Sequence, residues 1–140
     1  MNLLLVDDEE RILQIVQHNL AKLGYAVETA RSGEEALEKL TASSARQPVS
    51  ILICDWSMPG MDGVALCRAV RATPSLSHLY VIMQTGRTGS NDKLDGLYAG
   101  ADDYLAKPFR LSDLLTSIRT AERVLSMPDR PGPQPAHGRR

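Results

Sequence analysis

The sequence predicts an α/β fold, a doubly wound parallel sheet with helices on both faces. Three observations carry this. Short apolar runs alternate with longer stretches of helical spacing from the first residues on. Most of the apolar runs are continuous, which marks strands buried on both faces. Five strand-helix units follow in series, and right-handed crossovers then place helices on both sides of the sheet.

Residues 2–6 (Asn-Leu-Leu-Leu-Val) form the first run. Glu9 to Leu23 has helical spacing, with Ile12, Leu13, Val16, Leu20 and Leu23 on one face and Gly24 as the stop. Tyr25 to Ala30 alternates as a weaker strand. Ser32-Gly33-Glu34-Glu35 opens a helix to about Ala42, with Ala36, Leu37 and Leu40 inward, and a loop covers 43–48. Val49 to Cys54 is the most hydrophobic strand and the expected centre of the sheet. Gly63 to Ala72 reads as a helix with Val64, Cys67 and Val70 on one side. Leu79 to Gln84 is a strand, Asn91 to Tyr98 a short helix closed by Gly100, and Asp103 to Ala106 the last strand. Leu111 to Leu125 is an amphipathic helix with Leu114, Leu115, Ile118, Ala121 and Leu125 inward.

The 140 residues suit one domain with a real core. Hydrophobic residues at 43% and charged residues at 24% indicate a soluble globular chain, and aromatics at 4% require an aliphatic core. Residues 127–140 carry a net +2 and the rest a net -3. A mildly acidic body has no electrostatic footprint for nucleic acid or an anionic membrane. Cys54 and Cys67 match no metal or disulfide pattern and read as small buried hydrophobes. No run approaches the 18 or so apolar residues of a membrane span, and a strand that starts at residue 2 leaves no room for a signal peptide. A cytoplasmic protein is expected. Residues 126–140, with four prolines and no apolar period, read as a disordered tail or linker stub after a domain at 1–125.

Ligands bind doubly wound sheets at the carboxyl ends of the strands. Asp7 and Asp8 end the first run, Asp55 ends the third, Thr85 ends the fourth, and Lys107 follows the fifth. Three neighbouring carboxylates repel, and a divalent cation relieves that cost. Hard oxygen donors without His or Cys favour Mg²⁺. Helix-start acids account for Glu9 and Glu10 but poorly for Asp7 and Asp8. A carboxylate can also attack phosphorus, given charge neutralisation around the phosphoryl oxygens. Mg²⁺, the Lys107 ammonium and the Thr85 hydroxyl are suited to that. Pro108 fixes the exit of the last strand, and a cis Lys107–Pro108 bond would aim the amine into the rim. Trp56 is either a packing residue or, the reading favoured here, a partly exposed contact. His18, His78 and His137 lie away from the rim, so a phosphodonor must come from another protein.

Four segments together resemble the receiver domain of bacterial two-component response regulators, over residues 2 to about 125. They are Leu-Leu-Val-Asp-Asp-Glu at 4–9, Asp-Trp-Ser-Met-Pro-Gly-Met-Asp-Gly at 55–63, Thr85-Gly86, and Gly-Ala-Asp-Asp-Tyr-Leu-Ala-Lys-Pro-Phe at 100–109. The resemblance implies a five-stranded, flavodoxin-like sheet in the order 2-1-3-4-5 within a three-layer α/β/α sandwich. It implies that Asp55 accepts a phosphoryl group from a histidine kinase or histidine phosphotransfer protein. Mg²⁺ would be held by Asp8, Asp55, the backbone carbonyl of Ser57 and, mostly through water, Asp7. Lys107 would pair with the phosphoryl group, Thr85 would swing toward it, and Tyr104 would turn inward. The surface of the helix at 91–98, the last strand and the last helix would then change and control a downstream protein or output domain, or allow a homodimer. Gln84 departs from the family in being polar where that strand is usually apolar, and Gly86 stands for the commoner alanine. Ser57 and Arg87 occupy positions that influence dephosphorylation in the family.

The chain is therefore expected to be a signalling switch with Mg²⁺ as cofactor and no direct nucleic-acid contact or membrane insertion, rather than an enzyme with turnover. It could equally be a receiver piece of a longer regulator or hybrid kinase. An aspartate-nucleophile phosphatase fits poorly, since Ser57 stands where that chemistry needs an acid two residues after the nucleophile.

Overall fold

The computed structural model describes residues 1–43, 48–86 and 99–128. The expected helix at 91–98, Arg87, most of the 43–48 loop and residues 129–140 of the expected tail lie outside the described residues. The elements in chain order are β1 (Asn2–Val6), α1 (Glu10–Lys22), β2 (Ala26–Ala30), α2 (Gly33–Ser43), β3 (Ile51–Asp55), α3 (Gly63–Ala72), β4 (Tyr80–Thr85), β5 (Asp103–Ala106) and α4 (Leu111–Leu125). The five strands are parallel in the order β2-β1-β3-β4-β5, as expected from the sequence.

Strand alternation divides the core between the two faces. Leu3, Leu5, Ile51, Ile53, Tyr80, Ile82 and Leu105 pack with Leu13 and Leu20 of α1 and Leu114, Ile118 and Ala121 of α4. Leu4, Val6, Leu52, Cys54, Val81 and Met83 pack with Ala36 and Leu40 of α2 and Leu66, Cys67 and Val70 of α3. Every residue of β3 and β4 is buried, whereas β2, at the sheet edge, alternates between exposed and half-buried positions before Ala30. This explains why 25–30 reads as the weaker strand.

Leu23 differs from expectation: it is 53% exposed. The helix ends at Lys22, so Leu23 is the cap residue and leaves the inward face just before Gly24 turns at φ +96°. Trp56 differs too. It is 8% exposed and sits in the α2/α3 core with Met58. Its position two residues after Cys54 puts it on that face, and its backbone N–H donates to the Gln84 carbonyl at 2.7 Å. Packing, not partner contact, accounts for it. Cys54 and Cys67 are free and buried, as expected.

The turn from β3 into α3 is anchored on several sides. Asp62 caps α3 by accepting from Ala65 N at 2.9 Å. The Glu34 carboxylate accepts from Met61 N at 3.1 Å. Gly63 N donates to the Trp56 carbonyl at 3.0 Å. A Cβ at Gly63 would collide with the Asp55 carbonyl and come within 2.8 Å of Met83 Sδ. Only glycine allows the helix to start so close behind Asp55. Gly63→Ala is expected to cost about 1–3 kcal/mol by overpacking, read as a lower denaturation midpoint with an unchanged m-value.

Candidate functional site

The strand ends bring four of the sequence-predicted residues together. Asp7 directly follows β1 and is fully buried, with 0% exposure. Asp55 is the last residue of β3 and is 6% exposed. Asp8 is exposed beside them. Carboxylate oxygens of these three acids all lie within 4.8 Å of one another. Lys107, just past β5, reaches over the sheet edge. Its Nζ donates to Asp7 Oδ2 at 3.1 Å and lies 3.1 Å from Asp55 Oδ2.

Each position has a local cause. Asp7 Oδ1 accepts from Glu9 N at 2.9 Å, so the chain turning into α1 fixes the carboxylate. Lys107 N donates to the Thr85 carbonyl at 2.7 Å, which extends the β4–β5 ladder past its last residue. The Lys107–Pro108 bond is cis, as the sequence suggested. Thr85, 2% exposed, ends β4 opposite Ala106. Tyr104 is half-buried, packs against the α2/α3 core and lies opposite Met83. By strand alternation Thr85 faces the same side as Met83 and Tyr104, whereas Asp55 and Lys107 follow the α1/α4 side. Ser57 is exposed and, with Asp8, Trp56, Met58, Pro59 and Asp62, lines a cleft of ≈ 420 Å³ next to the acids.

Burial raises the pKa of Asp55; Lys107 opposes that shift and the charge of Asp7 adds to it, so the carboxyl stays above its ordinary 3.8. Burial alone would lower Lys107, but its hydrogen bonds and charge contacts with Asp7 and Asp55 outweigh this and raise it. The ammonium is thus firmly charged, while the carboxylates are crowded. Three oxygen donors close together, one of them solvent-facing, with no His or thiol among them, suit a hard divalent cation such as Mg²⁺. The ammonium occupies one oxygen on each buried acid, and Asp8 opens to the cleft.

Sequence reasoning did not find the loop anchor. Glu34 lies 27 residues from Met61, and only the crossover brings them together. Gln84 stood out as a polar departure, but nothing local showed that its side chain is buried, at 1% exposure, on the strand next to Asp55.

A family model for the response regulator receiver domain matches residues 3–119. The chain is 37% identical over 118 residues to the phosphate regulon transcriptional regulatory protein PhoB of Rhizobium meliloti, covering 84% of this chain and 50% of that protein. It is 40% identical over 123 residues to the response regulator MprA of Mycobacterium leprae, covering 88% and 51%. The chain thus spans about half the length of the curated relatives it matches. The structure resembles the chemotaxis protein CheY4 of Vibrio cholerae, with a TM-score of 0.78, 38% identity and coverage of 86% of this chain and 97% of that one. It also resembles a putative response regulator from Chloroflexus aurantiacus, with a TM-score of 0.79, 37% identity and coverage of 90% and 98%.

The electrostatics give two effects of opposite sign, both in metal-free protein. The folded protein holds the Asp55 proton to higher pH than the unfolded chain does. Ionisation therefore favours unfolding, and stability falls as pH rises from 3.8 through the folded value. Asp55→Asn is expected to melt above wild type at pH 7, with the gap closing as pH falls to 3.8 and below. Lys107→Met instead leaves the fully buried Asp7 without its cation and is expected to cost about 3 kcal/mol at pH 7. Thermal melts in chelator across pH 4–8 read both.

Proposed function

The chain belongs to the response regulator receiver domain family, and from that premise we propose that it is a phosphorylation-dependent signalling switch with Asp55 as phosphoacceptor. The single observation behind this is the placement of the Lys107 ammonium 3.1 Å from Asp55, with Asp7 and Asp8 beside it. An Asp55 carboxylate oxygen attacks the phosphorus of a phosphohistidine; the P–N bond breaks, and its electron pair stays with the imidazole. Lys107 neutralises charge on the transferred group, and Thr85 donates a hydrogen bond to it. Mg²⁺ would be held by Asp8, Asp55, the Ser57 carbonyl and, through water, Asp7. Once bound it would supply charge neutralisation for the phosphoryl oxygens.

The donor is a histidine kinase or histidine phosphotransfer protein. Residues 1–125 act as the receiver, and 126–140 as a tail or linker. Movement of Thr85 and then Tyr104 carries the signal to the surface of β5, α4 and the helix expected at 91–98. That surface controls a downstream protein or an output domain, or a phosphorylation-dependent homodimer forms on it. Such a switch biases two arrangements of one domain. It works in the cytoplasm. Among the described residues, no helix is long and apolar enough to cross a membrane.

Acetyl phosphate with Mg²⁺ is expected to add one phosphoryl group per chain, and Asp55→Asn to abolish the addition; labelling that survives in Asp55→Asn overturns the assignment. Trp56, the sole tryptophan, adjoins Asp55. Mg²⁺ titration is expected to change its fluorescence, and Asp8→Ala to weaken that binding by about tenfold or more.

A further inference from the structure

Gln84 is 1% exposed, and its Oε1 has no hydrogen-bond partner among the described residues. An orphaned amide oxygen in a packed core is costly, and an apolar side chain of the same shape is more stable there. Its place in the sheet explains what the cost could serve. Tyr80 and Ile82 face α1 and α4, so Gln84 faces that side as well. Asp55 follows Ile51 and Ile53 onto the same face and is the direct register partner of Gln84. Neighbouring strands lie about 4.8 Å apart, so the two side chains are neighbours on that face. Lys107 follows Leu105 onto the same face. It starts beside β5, yet its ammonium reaches Asp55 on β3 and Asp7 after β1, so its stem crosses the end of β4, where Gln84 lies.

The ammonium has three N–H donors. Among the described residues two acceptors take two of them, Asp7 Oδ2 and Asp55 Oδ2. Resting on the phosphoacceptor reading above, we propose that Gln84 is a positioning residue whose Oε1 accepts the third N–H of Lys107 when Asp55 carries a phosphoryl group. Phosphorylation removes the full charge from the carboxylate that Lys107 holds, and the ammonium must then follow the phosphoryl oxygens. A neutral acceptor on the intervening strand keeps it over Asp55 without adding a fourth negative charge to three crowded acids. No covalent bond changes at Gln84. Its oxygen is unsatisfied in the resting protein and satisfied in the phosphorylated one.

Gln84→Met keeps the volume and removes the acceptor. The expected result is a metal-free resting protein that melts about 5 °C higher. After labelling with acetyl phosphate and removal of the donor, its phosphoryl half-life on Asp55 is about threefold to tenfold shorter than wild type. In a Lys107→Met background the same substitution leaves the half-life unchanged, because Gln84 acts through that ammonium. Gln84→Leu repeats the comparison if the methionine variant folds poorly. An unchanged half-life in Gln84→Met, an equal shortening without Lys107, or a resting melting temperature lowered in both Gln84→Met and Gln84→Leu overturns the inference alone. Wild-type protein that takes no phosphoryl group on Asp55 overturns both the functional reading and the inference.

Discussion

One ammonium between two buried carboxylates governs the carboxyl edge of this sheet. Asp7 and Asp55 are almost wholly withdrawn from water, and Asp8 is close enough to repel both. Buried ions are tolerated only when paired. Lys107 supplies that pairing from the far side of the sheet, across β4. Without it, the acids at the ends of β1 and β3 would lose their only cationic contact among the described residues. The Lys107 N–H to Thr85 and the Asp7 contact with Glu9 N hold the two ends of this bridge. The proposed phosphoryl chemistry and resting stability therefore meet in one contact.

The fold makes that contact possible through strand order rather than sequence proximity. Asp7 and Lys107 are 100 residues apart. In the order β2-β1-β3-β4-β5 the acidic strand ends are adjacent and the basic one is two strands from Asp55. A lysine stem spans that gap, and a shorter cation would not. The aliphatic core on either face holds the strand ends rigid, and the β3–α3 turn, closed against Gly63 and tied to Glu34, keeps Asp55 from drifting. Rigid support of this kind lets a charge change at one residue be felt at its neighbours instead of being lost in local motion.

Much of this was legible in the sequence. The runs ending on Asp7 and Asp55, and the Lys-Pro pair after the last strand, point to the edge where the structure gathers three acids and one ammonium, because a strand end is a local event. The helix faces of Leu13 and Leu20, or Leu114 and Ile118, followed from period alone. Element ends and long-range contacts escape the pattern. The periodic pattern outlasts the first helix by one residue, so it points Leu23 inward. The position of Trp56 after Asp55 suggests exposure, whereas strand alternation carries it into the α2/α3 core. The Glu34–Met61 tie and the Tyr25–Glu122 hydrogen bond at 3.3 Å join segments that no window contains.

Gln84 shows where pattern reading stops and site physics begins. After the apolar Tyr80, Val81, Ile82 and Met83 it breaks the pattern one residue before the strand ends on Thr85, and an oxygen without a partner among the described residues is the visible consequence. Stability alone favours replacing it with an apolar residue, since the strand is buried throughout. A neutral acceptor next to Asp55 and under the path of Lys107 gains a use when the ammonium changes partners, as proposed above. The resting protein combines a crowded set of acids, one shared cation and one unused acceptor. In the proposed phosphorylated state the cation follows the phosphoryl oxygens, and the amide oxygen beneath its path gains a partner.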